Sequence, residues 1–232
     1  MGVGRDRKDR VGNQVPLCIK GTVANPRPRN TAEECYEPLT ASSPSTELEE
    51  YVVRLLTVRG HRARVLSYSK AGYRCEPTEK QVRDYVSKPF ISGLIRKRDI
   101  EGLRAEVKAG KGMDAMNKFG ETAVHVAARV GDVEVFTFLV EHGGSLTSCD
   151  DVGRFPLHEV CWTSPPRFDL VRLILEKARH LLLMKDRRGC TPLGYVNKID
   201  WPAWRDFIDE MADLYWPPVQ DGEVPQAERS HV

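Results

Sequence analysis

Gly153-Arg154-Phe155-Pro156-Leu157-His158 repeats Gly120-Glu121-Thr122-Ala123-Val124-His125 at a spacing of 33 residues. A fixed period of that size is the mark of stacked helix–turn–helix units, each of which buries its apolar face only against a neighbour. Residues set 33 apart keep the register upstream as well. Asp132-Val133-Glu134 lies over Asp99-Ile100-Glu101, Phe136 over Leu103, Val140 over Val107, Gly143 over Gly110 and Asp150 over Asn117. Residues 88–117 therefore form a degenerate first unit without the Thr/His motif, followed by units at about 117–149 and 150–185. A last unit opens at Asp186, 36 residues after its predecessor. The added length falls at Ser164-Pro165-Pro166-Arg167, between two helices, where insertion costs little loop entropy.

Within a unit the residue choices have physical reasons. Thr122 or Pro156 starts the first helix. Small Ala127, Ala128 and Cys161 let neighbouring helices approach. Val133, Phe136, Leu139 and Val140, and later Leu170, Leu173, Ile174 and Leu175, supply the buried faces. The pattern resembles ankyrin repeats: Gly-x-Thr-x-x-His-x-Ala-Ala at Gly120 to Ala128, Pro156-Leu157-His158, and Thr191-Pro192-Leu193, over roughly 88–198. Phe155 stands where that family has Thr, Gly194 where it has His and Gly144 where it has Ala. The last repeat is thus expected to be a worn cap. The resemblance implies an all-α repeat solenoid of about four units, with β-turn or hairpin tips and helical caps at both ends.

The flanks read differently. Residues 1–45 are poor in large apolar side chains, too poor to offset chain entropy, and are expected to be a disordered tail. Leu48, Tyr51, Val52, Leu55 and Leu56 fall at helical spacing behind a Thr46/Glu49 capping-box pattern. A helix this short is marginal alone, so it should dock on something. Tyr51 to Cys75 contains no acidic residue but holds Arg54, Arg59, Arg62, Arg64, Lys70 and Arg74. Alternation through Arg62–Leu66 and then Ser69–Gly72 suggests a β-hairpin, which makes 46–87 a basic helical and hairpin extension. That charge run is either a solvated face or a weak contact for an anionic ligand, nucleic acid or phospholipid. Thr78 and Gln81 form a second capping box, and Pro89 suits the first turn of the next helix. Trp204, Phe207, Ile208, Met211 and Leu214 form a capping helix within 199–217. Trp201, Trp204 and Trp216 read as core of that cap rather than as an aromatic box. Residues 218–232 read as a second disordered tail, ending in Ser230-His231-Val232, a minimal PDZ-ligand pattern.

Few function classes survive. A net charge of +2 gives no global field for nucleic acid. The six cysteines (18, 35, 75, 149, 161, 190) contain no CxxC pair; without a secretory signal they read as reduced thiols. Neither a signal peptide, nor a membrane span of roughly 18 apolar residues, nor a myristoylation motif is found, which points to cytoplasm or nucleus. His125 and His158 share one repeat position, a helix-packing distance of ~8–10 Å apart, too far for one zinc ion. The equivalent histidine in ankyrin repeats bonds the neighbouring turn, and that is the role expected here. Gly110-Lys111-Gly112 is not a phosphate loop, and no nucleophile elbow occurs.

A non-enzymatic protein-binding scaffold without cofactor or metal, acting as a monomer, is therefore the expectation. Carrying the ankyrin family's variable positions onto this frame points to Met116, Lys118, Phe119, Glu121, Arg129 and Val130. The next unit contributes Asp151, Val152, Arg154, Trp162 and Thr163, and the last Arg187 and Arg188. Phe119, Trp162 and Arg154 are the expected anchors, though Trp162 is equally able to pack on a neighbouring turn.

Overall fold

A computed structural model describes residues 46–69, 71–73 and 76–219, all within one compact unit of the chain. Residues 1–45, Lys70, Arg74, Cys75 and residues 220–232 with the Ser230-His231-Val232 motif lie outside the described residues, whereas Pro218 and Val219 of the expected second tail are described. The helices in chain order are α1 (Glu47–Val58), α2 (Glu79–Val86), α3 (Ile91–Lys97), α4 (Ile100–Lys108), α5 (Ala123–Val130), α6 (Val133–Glu141), α7 (Pro156–Cys161), α8 (Phe168–Ala178) and α9 (Trp201–Tyr215). Two short strands, β1 (Leu66–Ser67) and β2 (Met184–Lys185), pair in parallel.

Period 33 becomes two helical layers. The first helices α3, α5 and α7 stack on one another and then on the 3-10 turn Pro192–Tyr195. The second helices α4, α6, α8 and finally α9 form the outer layer. Capping sets the boundaries. The Thr122 hydroxyl accepts from the His125 N–H at 3.2 Å and Asp132 from the Val135 N–H at 3.0 Å, while Gly131, at φ 74°, ends α5 in the left-handed region that glycine tolerates. The buried seam holds Leu103, Ala123, Ala127, Ala128, Phe136, Leu139, Leu157, Cys161, Leu170 and Ile174.

Between the layers and the next unit come three tight turns built alike. Asn117, Asp150 and Asp186 each turn a side-chain oxygen back onto the N–H groups two and four residues on, at 2.8 to 3.1 Å. The tips then join in a row. The Asp151 N–H donates to the Phe119 carbonyl and the Arg187 N–H to the Val152 carbonyl, both at 2.7 Å.

The segment before the repeats departs from the hairpin expectation. Helix α1 closes the carboxyl end of the array, against α9 and the Pro192–Tyr195 turn, burying Leu48, Val52 and Leu56. Glu49 leaves its capping box half-made: Thr46 accepts from the Glu49 N–H at 3.1 Å, but the buried Glu49 carboxylate accepts from the Thr191 hydroxyl at 2.7 Å. Arg59 pairs with Asp213 at 2.7 Å, and the Val219 N–H donates to the Arg59 carbonyl at 2.9 Å. From there the chain crosses the array backwards. β1 pairs with β2 rather than with Ser69–Gly72, because the last unit presents an open edge at Met184–Lys185 while Gly72 continues a turn. Tyr68 covers Gly153; Tyr73 stands edge-on to Phe155 with ring centroids 5.0 Å apart, and its hydroxyl lies 2.6 Å from His180 Nε2. Helix α2, with both halves of the Thr78/Gln81 capping box in place, seals the amino end. There the Gln81 carbonyl accepts from the Met116 N–H at 3.2 Å and Asp84 from the Gly112 N–H at 2.9 Å.

Candidate functional site

The site lies on the face made by the tips and the exposed ends of the first helices. Lys118 and Phe119 stand exposed on the first tip, with the Lys118 ammonium 5.2 Å from the Phe119 ring centre. Asp151 and half-buried Val152 occupy the second tip, and exposed Arg187 and Arg188 the third. Arg129 and Val130 end α5; Trp162 and Thr163 follow α7. Met116 is a correction: it is 4% exposed, because its backbone bridges Thr122 and its side chain turns into the core, so it is unavailable to a partner. Thr163 is half-buried and spends its hydroxyl on the Val160 carbonyl at 2.7 Å.

Arg154 is less of an anchor than its residue type suggests. It makes a two-pronged pair with Asp150, at 2.7 and 2.9 Å, and lies 3.5 Å from Glu159. Arg129 lies 3.2 Å from the same Glu159 and also pairs with Glu121. Glu121 in turn accepts from the Tyr85 hydroxyl at 3.2 Å and the Asn117 amide at 3.0 Å. Burial raises the Glu159 carboxyl above its ordinary pKa although both guanidinium groups pull it down. Burial and the Glu121 carboxylate push the Tyr85 phenol up to about 12, so it is a permanent donor at neutral pH. Buried ion pairs of this kind fix geometry more dependably than they add stability. They hold Arg129 and Arg154 in set orientations.

Sequence reasoning found the ends of this network and missed its middle. Glu159 follows a repeat histidine at a position held by Val126 one unit earlier, so the periodic frame marks it as ordinary core. Tyr85 lies in α2, and no sequence signal joins it to Glu121. Trp162, 38% exposed, does pack on Tyr195, with ring centroids 5.4 Å apart, while leaving one face open; both expected roles coexist.

His125 and His158 are held as the family pattern implies. His125 Nδ1 accepts from the Thr122 N–H at 3.1 Å, and Nε2 lies 2.9 Å from the Arg154 carbonyl. His158 accepts from the Phe155 N–H at 3.0 Å and lies 3.3 Å from the Cys190 carbonyl. Burial drives the His158 pKa down to about 3 and lowers that of His125 as well, so both rings are neutral and each locks one turn to the next. Among the described residues no group of three or more His, Cys, Asp and Glu is placed to hold a metal ion. The reduced-thiol expectation fails at Cys149, which is disulfide-bonded, whereas Cys161 is a buried free thiol.

A family model for ankyrin repeats in three copies matches residues 95–186. Residues 95–186 are an ankyrin-repeat array. It is 23% identical over 222 residues, 92% of its length, to the NF-kappa-B inhibitor cactus of Drosophila melanogaster, of which it spans 34%. It is 30% identical over 82 residues, 35% of its length, to protein phosphatase 1 regulatory subunit 27 of Mus musculus, of which it spans 52%. The chain thus covers about a third and about half of those two relatives. Ankyrin repeats fit a general protein-interaction role, and no described helix is long and apolar enough to cross a membrane.

Proposed function

We propose that this chain is a non-catalytic adaptor that holds another protein against the face formed by Phe119, Trp162, Arg129 and the three tips. The reading is carried by two exposed aromatics, Phe119 on the first tip and Trp162 after α7, and by Arg129, held between Glu121 and the buried Glu159. Aromatic anchors ringed by polar groups are where interface energy concentrates. Both relatives carry names of regulators of other proteins, an inhibitor and a regulatory subunit, and that supports the reading. The opposite use, anionic-ligand binding through 54–74, has less support. Arg59 is committed to Asp213 and to the Trp216 carbonyl, and Arg54 borders a hollow of about 390 Å³ that Glu49 and Glu50 also line, where an anion is repelled.

Affinity capture with the full chain, beside a Phe119→Ala/Trp162→Ala variant of matching thermal stability, tests the site. The variant is expected to lose the proteins that the wild type retains. Equal recovery by both would place the interface elsewhere.

A further inference from the structure

The binding face is layered by charge. Its outer tier is cationic: Arg96, Lys118, Arg129, Arg187 and Arg188 are all exposed, and Asp151 is the exposed carboxylate among them. Its negative groups are recessed. The Arg129 side chain is 47% exposed while its partner Glu159 is 6% exposed, and Asp150 is equally buried beneath Arg154. Arg96 belongs to the same surface, since it holds near the end of α3 the repeat position that Arg129 holds on α5, 33 residues later. A partner approaching this face meets exposed Arg96 and Lys118 before the recessed carboxylates. The whole chain carries only +2, so this concentration is a property of the face and not of the composition.

We infer, building on the adaptor reading above, that this face takes an acidic peptide segment of a partner protein, with aromatic or aliphatic anchors seated on Phe119 and Trp162. Charge complementarity selects the class: spaced carboxylates reach the outer cations while the anchors cover the two rings. A nucleic acid backbone fits less well. Its phosphates are evenly spaced, and exposed Asp151 and half-buried Glu121 would repel those placed near them, where a peptide can carry neutral residues.

The test is selection of a random 16-residue peptide library displayed on phage against the immobilised full chain, followed by fluorescence anisotropy with the enriched peptides. Enriched sequences are expected to be rich in Asp and Glu and to carry Leu, Phe or Trp. Their affinity should fall at least about tenfold in an Arg96→Glu/Lys118→Glu variant, both positions being exposed, and weaken as salt rises from 50 to 300 mM. Peptides that lose binding in Phe119→Ala/Trp162→Ala but are neutral or basic would overturn the acidic class while leaving the face as the interface. Peptides indifferent to both variants, or no enrichment at all, would overturn this inference, and indifference would also remove the face itself. Displacement of bound peptide by a single-stranded oligonucleotide at equal concentration would reassign the face to nucleic acid.

Discussion

His158 makes stability depend on pH in a way that can be worked out from its surroundings. Its ring titrates near 3 in the folded chain and near 6.5 when unfolded. Between those values the unfolded chain binds a proton that the folded chain refuses, so the stabilisation is complete above pH 6.5 and drains away as pH falls toward 3. At pH 5 this single group costs about 2 kcal/mol, against a usual total of about 5–15 kcal/mol for a domain. The main cause is burial, and a hydrogen bond adds to it. Nδ1 already accepts the Phe155 N–H at 3.0 Å, so a proton there would break that bond inside a dry interface. The perturbation is His158→Gln, whose amide can accept from Phe155 and donate to Cys190 without titrating. Urea unfolding at pH 7, 6 and 5 should show the wild type losing about 2 kcal/mol more than the variant over this range, since carboxylate contributions are common to both and cancel. Parallel pH profiles for the two proteins would refute the reasoning, however unstable the variant proved at pH 7.

Three further outcomes follow from the packing. Leu48→Ala, at a fully buried position of α1, should cost about 2–5 kcal/mol by chemical denaturation, because α1 is part of the carboxyl cap although it precedes the repeats; a cost under about 0.5 kcal/mol would mean that α1 is not docked. A Gly153→Ala change should cost at least about 1 kcal/mol: φ is 80° and the new methyl would meet the Tyr68 ring, 2.8 Å from Cγ. Pairing it with Tyr68→Ala should then show a coupling of about 0.5 kcal/mol or more in a double-mutant cycle, and strict additivity would deny the contact. Trimming the chain to 88–216 should lower the thermal midpoint sharply, since it removes α1, β1 and α2, which close both ends and one edge.

What the sequence made legible was whatever repeats. The Gly-x-Thr-x-x-His frame located α5, α6, α7 and α8, because each unit solves the same local problem of capping, small-residue approach and turn closure; the histidine-to-turn bonds were expected from the resemblance to ankyrin repeats. The capping box at Thr78 and most of the apolar stripe of α9 were legible for the same local reasons, but Leu214, expected in that stripe, is exposed and Tyr215 is buried instead. The reach of Glu49 to Thr191, of Tyr68 to Gly153 and of Tyr85 to Glu121 spans up to 142 positions and leaves no periodic trace. The apolar stripe of α1 said that the helix docks, not where. At the proposed binding face the exposed aromatics were reached by carrying the ankyrin family's variable positions onto the register, but Glu159 could not be, because the value of a buried carboxylate depends on two arginines that three-dimensional packing alone brings to it.

Hydrogen exchange of the full chain, alone and saturated with a captured partner, tests the binding face most directly. Added protection is expected at 118–121, 129–130, 151–152 and 162–163, with none across 62–69, which the chain itself packs against Gly153 and Met184–Lys185. Protection confined to 62–69, with the tips unchanged, would contradict the assignment of this ankyrin array's working surface.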